Sequence, residues 1–576
     1  MGLLNSSLQI GRSAILGYQG ALQVVGNNIS SAASPDYTRL APGLDPLQGA
    51  LIGRDLQPGA GVALTSIQRN IDEALEGRVR TAIGTEASAV QQRSALTRVE
   101  SFFDTLNGTD LSSRLTSFFR SFDDLQNTPE DSATRDLTIS SGVQLADSIR
   151  GLRSQFGQLA ADLDGELADL VPQVNDLAKR IGRLNAEITT AEAAARGQAT
   201  GLRDQRDALL RELSELVGVT VREQPNGALN VYAGSETLVQ GAFVRELVGV
   251  QVTDGEFVRT SVRFLDTNGD VDLGSGRMAG LVISRDQGAT GKVAALDELA
   301  AAVIADVNRI HADGQGLRGL TSATGTRDLL ATDVALNSAA AGLGGAVQSG
   351  SFFITVLDDA TQTPVAYRID VDVDDPVSPL TLDGLVAAIN AQVTGVTATV
   401  TSDRRLSLTS GDGFSFVFGF DGQQARSDTS GVLAALGVNT FFSGSDATNI
   451  AVNSALAADP LLLAAAATFH AGDGGVAGRI AALDSAASAQ LNGLTLTGFY
   501  DGIANDIAVS GAAATDASDT ASAVLSALRT QRESLSGVNL DEEAISLIKY
   551  ERAFQGASRF VSVVNDLLNE LVTLIR

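Results

Sequence analysis

The 576-residue chain predicts a multidomain α+β fold: a helical coiled-coil or bundle stalk formed by both termini, with a β-hairpin layer and an inserted β-rich domain. Three observations carry that prediction. Apolar residues recur at alternating steps of four and three at each end, and again through residues 163–188, the spacing of packed helices. Between about 219 and 273, and between 352 and 409, the period falls to two, that of half-buried strands. A chain of this length exceeds what one core serves, so three or four domains are expected.

The N-terminal row is Leu4, Leu8, Gly11, Ile15, Tyr18, Leu22, Val25 and Ile29. It predicts a helix stopping near Ser34-Pro35, because proline disfavours helical backbone in the residue before it. The C-terminal row is Tyr550, Ala553, Ala557, Phe560, Val564, Leu567, Leu571 and Leu574, and a second row, Leu547, Phe554, Val561, Leu568 and Ile575, runs beside it. That face is wider than a two-helix seam requires, so one partner helix would leave a row exposed. The termini are therefore expected to pair with each other and then with neighbouring copies. Burying the spare row would contribute ~1.5–3 kcal/mol per large side chain. The large side chains of these rows are the candidate subunit-packing residues.

Residues 66–107 and 111–127 read as helices, the latter carrying Leu115, Phe118, Phe119, Phe122 and Leu125. A long helix follows Pro129 to about Ala195, with Leu163, Leu167, Leu170, Val174, Leu177, Ile181, Leu184 and Ile188 on one seam and Pro172 off it. Leu202–Val217 is a further helix. Val219–Glu223 and Leu229–Tyr232 flank Pro225-Asn226-Gly227, a hairpin signature. Strands continue to about Leu273, and a helix runs from about Lys292 to His311. Strands at 352–356 and 367–371, a helix at 382–392 and strands at 396–401 and 405–409 form a β-β-α-β-β block. Helical composition resumes in Leu456–His470 and Thr515–Leu535. The expected division is a terminal packing domain (1–40 with 536–576), a helical stalk (41–324 with 456–535) and an insert (325–455).

Composition removes several functions. A formal charge of −27 repels nucleic acid and anionic headgroups. No run approaches the ~20 apolar residues of a membrane span. The first thirty residues lack the basic start and apolar core of a cleaved signal peptide, so work outside the cell would need a dedicated route. Absence of cysteine excludes disulfides and thiolate chemistry. No cofactor is expected. Asp266–Asp272 spaces oxygen ligands like a calcium loop, but Val271 and Arg277 stand where glycine and glutamate belong, so a turn is expected. Gly274–Ala279 mimics a dinucleotide fingerprint outside any βαβ unit, and reads as a loop. His311 and His470 lack metal-ligand spacing. The pairs Asp123-Asp124, Asp374-Asp375 and Glu542-Glu543 arise freely among 68 acidic residues, so no enzyme is expected. Asp204-Gln205-Arg206-Asp207 reads as ion pairing between helix and strand.

Gly17-Tyr18-Gln19-Gly20-Ala21-Leu22 through Gly26-Asn27-Asn28-Ile29-Ser30 resembles the N-terminal signature of flagellar rod, hook and hook-associated proteins. Pro35-Asp36-Tyr37-Thr38-Arg39 is similar to that family's Gly-Tyr-Thr-Arg, with Asp36 in place of glycine. Ser536–Glu543, with Gln555–Arg559 beyond, resembles the family's approach to its last helix. Leu202–Leu210 with Glu212-Leu213 and Val217-Gly218-Val219, and Asn308–His311 with Gly314, resemble the hook-associated branch in particular, against a hook protein or a second junction protein. The resemblance implies a structural subunit at the junction of hook and filament, oligomerising in a helical array beside hook protein and a second junction protein. It also implies flagellar type III export and a cytoplasmic chaperone on the C-terminal helix. A flagellum-exported wall hydrolase or a surface adhesin using residues 325–455 are the rival functions.

Overall fold

The structure is a computed structural model that describes residues 2–34, 36–48, 59–103, 110–193, 197–255, 257–343, 347–361, 363–468, 470 and 472–574, without the side chains of 2–4, 571 and 574. In chain order its helices are α1 (Gly2–Ser31), α2 (Glu73–Glu100), α3 (Leu111–Asn127), α4 (Ser132–Ala191), α5 (Thr200–Leu216), α6 (Gly276–Ile283), α7 (Gly291–His311), α8 (Leu382–Gln392), α9 (Val432–Leu436), α10 (Ser454–Ala458), α11 (Gly475–Ala481), α12 (Leu496–Ser536) and α13 (Leu540–Leu574). Two compact units emerge. One gathers Met1–Ala95, Ala161–Ser284 and Ala512–Arg576; the other gathers Leu96–Ala160 and Arg285–Gly511.

In the first unit, α1 packs against α13 and against an antiparallel ribbon of β1 (Leu40–Gln48) and β2 (Gly59–Arg69). The sequence reading placed helix from residue 66; instead the strand runs to Arg69 and the helix begins at Glu73. Asp72 sets that start, its Oδ1 accepting from the amides of Ala74 at 2.9 Å and Leu75 at 3.1 Å. Leu75, Val79, Ala82 and Ile83 of α2 then share a small core with Leu525 of α12.

The second half of α4 keeps the predicted seam: Leu163, Leu167, Leu170, Val174, Leu177, Ile181 and Ile188 are buried and Leu184 half-buried. Pro172 sits inside the helix on its exposed side and leaves this face whole. The strands it carries are β3 (Val219–Glu223), β4 (Leu229–Ala233), β5 (Glu236–Gln240) and β6 (Phe243–Val244) in one sheet of that order, and the β7–β8 ribbon (Leu247–Asp254, Phe257–Phe264). Three polar residues on α4 stitch helix to strands. Asp164 accepts from the Thr260 amide and hydroxyl, each at 2.7 Å. Asn175 exchanges two 2.8 Å bonds with the Leu247 backbone. Asn185 does the same at Leu229, at 2.9 and 3.0 Å. Each satisfies backbone groups that sheet pairing leaves over.

The second unit is built on aromatic packing. Phe118 and Phe122 of α3 meet Phe441, with centroids 5.4 Å apart in both pairs. The β-β-α-β-β block is present and acquires two strands the sequence reading did not assign. Strand β9 (Ser322–Thr324) lies beside β13 (Leu406–Ser410), itself paired with β12 (Val396–Val400), while β10 (Gly350–Asp358) sits between β11 (Pro364–Val371) and β14 (Phe414–Phe418). One core joins them, from Phe352, Ile354 and Ile369 through Leu385 and Ile389 of α8 to Leu408, Phe416 and Phe418.

Leu456–His470 is not the expected helix. Among the described residues there, only α10 is α-helical, with a single 3-10 turn at Pro460–Leu462. Other partners take the backbone groups a helix would use: Arg135 donates to Leu463 O at 2.7 Å, and the Ala464 amide donates to His311 Nε2 at 3.1 Å. His311 is fully buried and completes its set by donating from Nδ1 to Asn439 O at 2.8 Å. It is a satisfied core residue. Burial pushes its pKa down to about 4, so below about 6.5 the unfolded chain binds a proton that the folded state refuses. Stability attributable to His311 is therefore whole above about pH 6.5 and falls by roughly 3 kcal/mol on approaching pH 4. Asp313, pushed up to about 6 chiefly by burial, works in the opposite direction in that window. Comparison with His311→Gln isolates the effect: denaturation midpoints at pH 7.5 and 4.5 should differ more in the parent chain than in the variant. Equal differences would contradict it.

Candidate assembly interface

Two contacts fix how the chain ends meet. A Cβ on Gly11 would lie 2.3 Å from Val561 Cγ2, so only glycine lets α13 approach there. Asn28, buried on α1, donates from Nδ2 to Glu543 Oε2 at 3.0 Å and to Leu40 O at 2.9 Å. Its Oδ1 accepts from the Leu40 amide at 3.0 Å and the Tyr37 hydroxyl at 2.8 Å. Gly11 and Asn28 are seventeen residues apart, Val561 and Glu543 eighteen, so the helices run antiparallel in one register. The glycine in the N-terminal row is thus part of the seam. Gly20 plays the same part toward β2, where a Cβ would come within 2.7 Å of Leu64.

Charged residues lock this junction. Arg39 reaches Glu543 at 2.8 Å and Glu542 at 2.9 Å, and its amide donates to Ser536 O at 2.9 Å. Arg69 at the end of β2 lies between Asp204 and Asp207 of α5, 2.9 Å from Asp204 Oδ1 without hydrogen-bond alignment. Burial opposes the charge on Arg69, but the two carboxylates outweigh it and hold the guanidinium protonated. Burial lifts the Asp204 carboxyl, and Tyr37, beside Asp204 and Glu543, is pushed up to about 12 chiefly by burial. Arg206 donates to Asn185 at 3.0 Å and to Gly227 O at 2.8 Å, tying α5 to α4 and the β3–β4 turn. Asp36, standing where the family motif has glycine, accepts from Arg211 at 2.6 Å. The Asp-Gln-Arg-Asp segment is therefore an ion-pairing element, as its residues suggested.

Around this lock the packing rows divide. Val25 and Val564 are buried, and Leu8, Ile15, Tyr18, Leu22, Tyr550, Phe554, Val561 and Leu568 are half-buried. Ile29 is exposed at the end of α1. Leu4, Leu571 and Leu574 lie outside the described side chains and Ile575 outside the described residues. Phe560 and Leu567 remain 42% and 48% exposed, and beside them stand Ile545, Ile548 and Val563 at 68%, 54% and 57%. These five form a stripe along α13 that no part of the described chain covers. The sequence reading anticipated an uncovered row but not Ile545, Ile548 or Val563. Their three- and four-residue spacing was the available signal.

The turn at Asp266–Asp272 carries no cluster suited to a cation. Asp266 is held by Arg245 at 2.8 Å and Asp270 by Arg263 at 2.8 Å, and among the described residues no group of three potential metal ligands occurs.

Residues 96–326 match the flagellar hook-associated protein FlgK helical domain, 361–412 the flagellin hook IN motif, and 530–574 the flagellar basal body rod FlgEFG protein C-terminal region. Flagellar hook-associated protein 1 of Escherichia coli K12 is 25% identical over 605 aligned residues, covering 99% of this chain and all of that one. Its counterpart in Salmonella typhimurium LT2 is also 25% identical, with the same coverage. The chain is similar over nearly its whole length to flagellar hook-associated protein 1. The hook junction protein FlgK from Burkholderia pseudomallei shares the fold, with TM-score 0.50 and 18% identity over 80% of this chain and all of that one. The likeness is to a family of structural flagellar proteins and not of enzymes. The IN motif falls on the β-β-α-β-β block, and the rod-type C-terminal match falls on α13 with the end of α12.

Proposed function

We propose that this chain joins the flagellar hook to the filament, assembling with copies of itself in a helical array through α1 and α13. The uncovered stripe of Ile545, Ile548, Phe560, Val563 and Leu567 carries this reading, because a soluble chain does not leave such a row in water without use for it. Head-to-tail contacts through a non-self-complementary face build helical arrays. In this reading, α1 with α13 forms the packing domain, the long helices the stalk, and residues 325–455 an outward insert. Hook protein and a second junction protein are its neighbours. Export runs through the flagellar type III route, with a cytoplasmic chaperone covering the α13 stripe beforehand. A deletion strain should build hooks and release filament subunits into the medium, scored by electron microscopy and by blotting the culture supernatant. Filaments of normal length on such cells would overturn the reading.

A further inference from the structure

The second unit holds a charged pocket that has no part in the packing of the chain ends. Helices α7 and α9, the Thr326-Arg327 step beyond β9 and the turn at Gly444-Ser445 enclose about 450 Å³, a volume in the range of small-molecule sites. Its apolar wall is Ile304 with four small side chains, Ala301, Ala305, Ala434 and Ala435, which leave the space open. Three ionisable residues line the same space: Asp306 and Arg309 from α7, and Arg327. Asp306 and Arg309 are three residues apart on α7 and so share one side of the helix.

These charges are not spent on one another. Asp306 is only 8% exposed, yet among the described residues its carboxylate accepts no hydrogen bond and joins no ion pair. Asn308, two residues on and also buried, shows the contrast: its side chain exchanges two 2.8 Å bonds with the Phe442 backbone. A buried carboxylate without a donor is costly, so Asp306 calls for an N–H group from outside the chain. Neither Arg309 nor Arg327 makes a side-chain hydrogen bond or ion pair among the described residues. Burial disfavours the charge on Arg327, and the field of Asp446 offsets this only in part. The Asp446 carboxylate is itself engaged, accepting from the Thr448 amide at 2.8 Å and the Ser445 hydroxyl at 2.9 Å.

One buried carboxylate and two guanidinium groups together select the ligand. A plain amine would satisfy Asp306 but face both arginines, and a plain anion would meet the arginines but face Asp306. A compact molecule carrying both charges matches all three groups, the arginine forks suiting a carboxylate in particular. We propose that the pocket binds a free α-amino acid with an apolar side chain, its ammonium on Asp306, its carboxylate on Arg309 and Arg327, and its side chain against Ile304 and the alanines. This inference does not rest on the junction role.

L-leucine titrated into the full chain and followed by calorimetry should bind saturably at millimolar concentration or below. Isopentylamine, which lacks the carboxylate, and isocaproate, which lacks the ammonium, should each bind at least about tenfold more weakly, the loss expected when a charged hydrogen-bond partner is removed. Asp306→Asn and Arg327→Met should weaken leucine binding to a similar extent, and Ala305→Phe, which fills the pocket from α7, should abolish it, with far-ultraviolet circular dichroism unchanged. Arg309→Met, at an exposed position, should also weaken binding and keeps the test decisive where Asp306→Asn disturbs the fold. No binding of L-leucine or L-phenylalanine at millimolar concentration overturns the proposal. Equal binding of isopentylamine overturns it too and makes the pocket a cation site. Leucine binding that ignores all four substitutions is adventitious only and overturns it as well.

Discussion

Arg69→Met should destabilise the first unit by on the order of 3–5 kcal/mol, the cost of breaking a buried ion pair from one side. The substitution retains the apolar volume of the side chain and removes only its charge. Asp204 and Asp207 then remain buried near each other with no cation between them. Burial already raises the Asp204 carboxyl, and loss of the guanidinium raises it further. A carboxyl whose folded pKa lies above its unfolded value binds protons more readily in the folded state, so stability recovers as pH falls. The deficit of Arg69→Met should therefore shrink between pH 7.5 and pH 5. Adding Asp204→Asn and Asp207→Asn should restore part of the loss at pH 7.5, since two neutral amides suffer less from burial than two carboxylates. The measurement is denaturant-dependent hydrogen exchange at β2 and α5, which reports the local unit even where global unfolding is not two-state. A loss below about 1 kcal/mol, independent of pH, would mean that the arginine is exchanged for solvent without consequence.

Periodicity made legible whatever depends on burying one face of a regular element. The seam of α4 reads correctly through Pro172 because a proline on the solvent side leaves the packing row intact. The β3–β4 hairpin reads correctly because its turn needs a positive φ and Gly227 supplies it at +84°. The β1–β2 ribbon did not read at all. Pro42, Gly43 and Pro46 interrupt the alternation, and register shifts fall at Gly43/Leu44 and Leu47/Gln48. Leu456–His470 misled for a different reason. Its composition is that of a helix, but Arg135 and His311, more than 150 residues away, capture its backbone groups.

The candidate interface shows the same boundary. That both ends carry apolar stripes is a local property and is visible in the rows of leucine and valine. Which side of α13 the first helix covers depends on Gly11 meeting Val561 and on Asn28 meeting Glu543, the latter pair 515 positions apart. No local pattern encodes that register. The two family-like segments, Asn27-Asn28-Ile29-Ser30 and Asp541-Glu542-Glu543, could be matched as motifs, yet only the fold reveals that they recognise each other. Arg39 and Glu543 lie at the centre of that recognition.

Because the stripe on α13 faces water in the isolated chain, Val563→Asp with Leu567→Asp should separate assembly from folding. Both positions are about half exposed or more, so the monomer should lose no more than about 0.5 kcal/mol. In an assembled array each original side chain is expected to contribute ~1.5–3 kcal/mol by burial. Removing both would then weaken a subunit contact by roughly two to four powers of ten before the cost of burying carboxylates is counted. Expressed in a deletion strain, the variant should be exported yet fail to enter flagella, and cells should stay non-motile. Val564→Asp is the informative contrast. Val564 is only 5% exposed, so the same chemistry one residue away should unfold the α1–α13 pairing in the monomer itself and speed amide exchange at Val24 and Val25. If Val563→Asp with Leu567→Asp swims as the parent does, the stripe is ordinary surface; if it loses monomer stability as Val564→Asp does, the stripe already has cover within one chain.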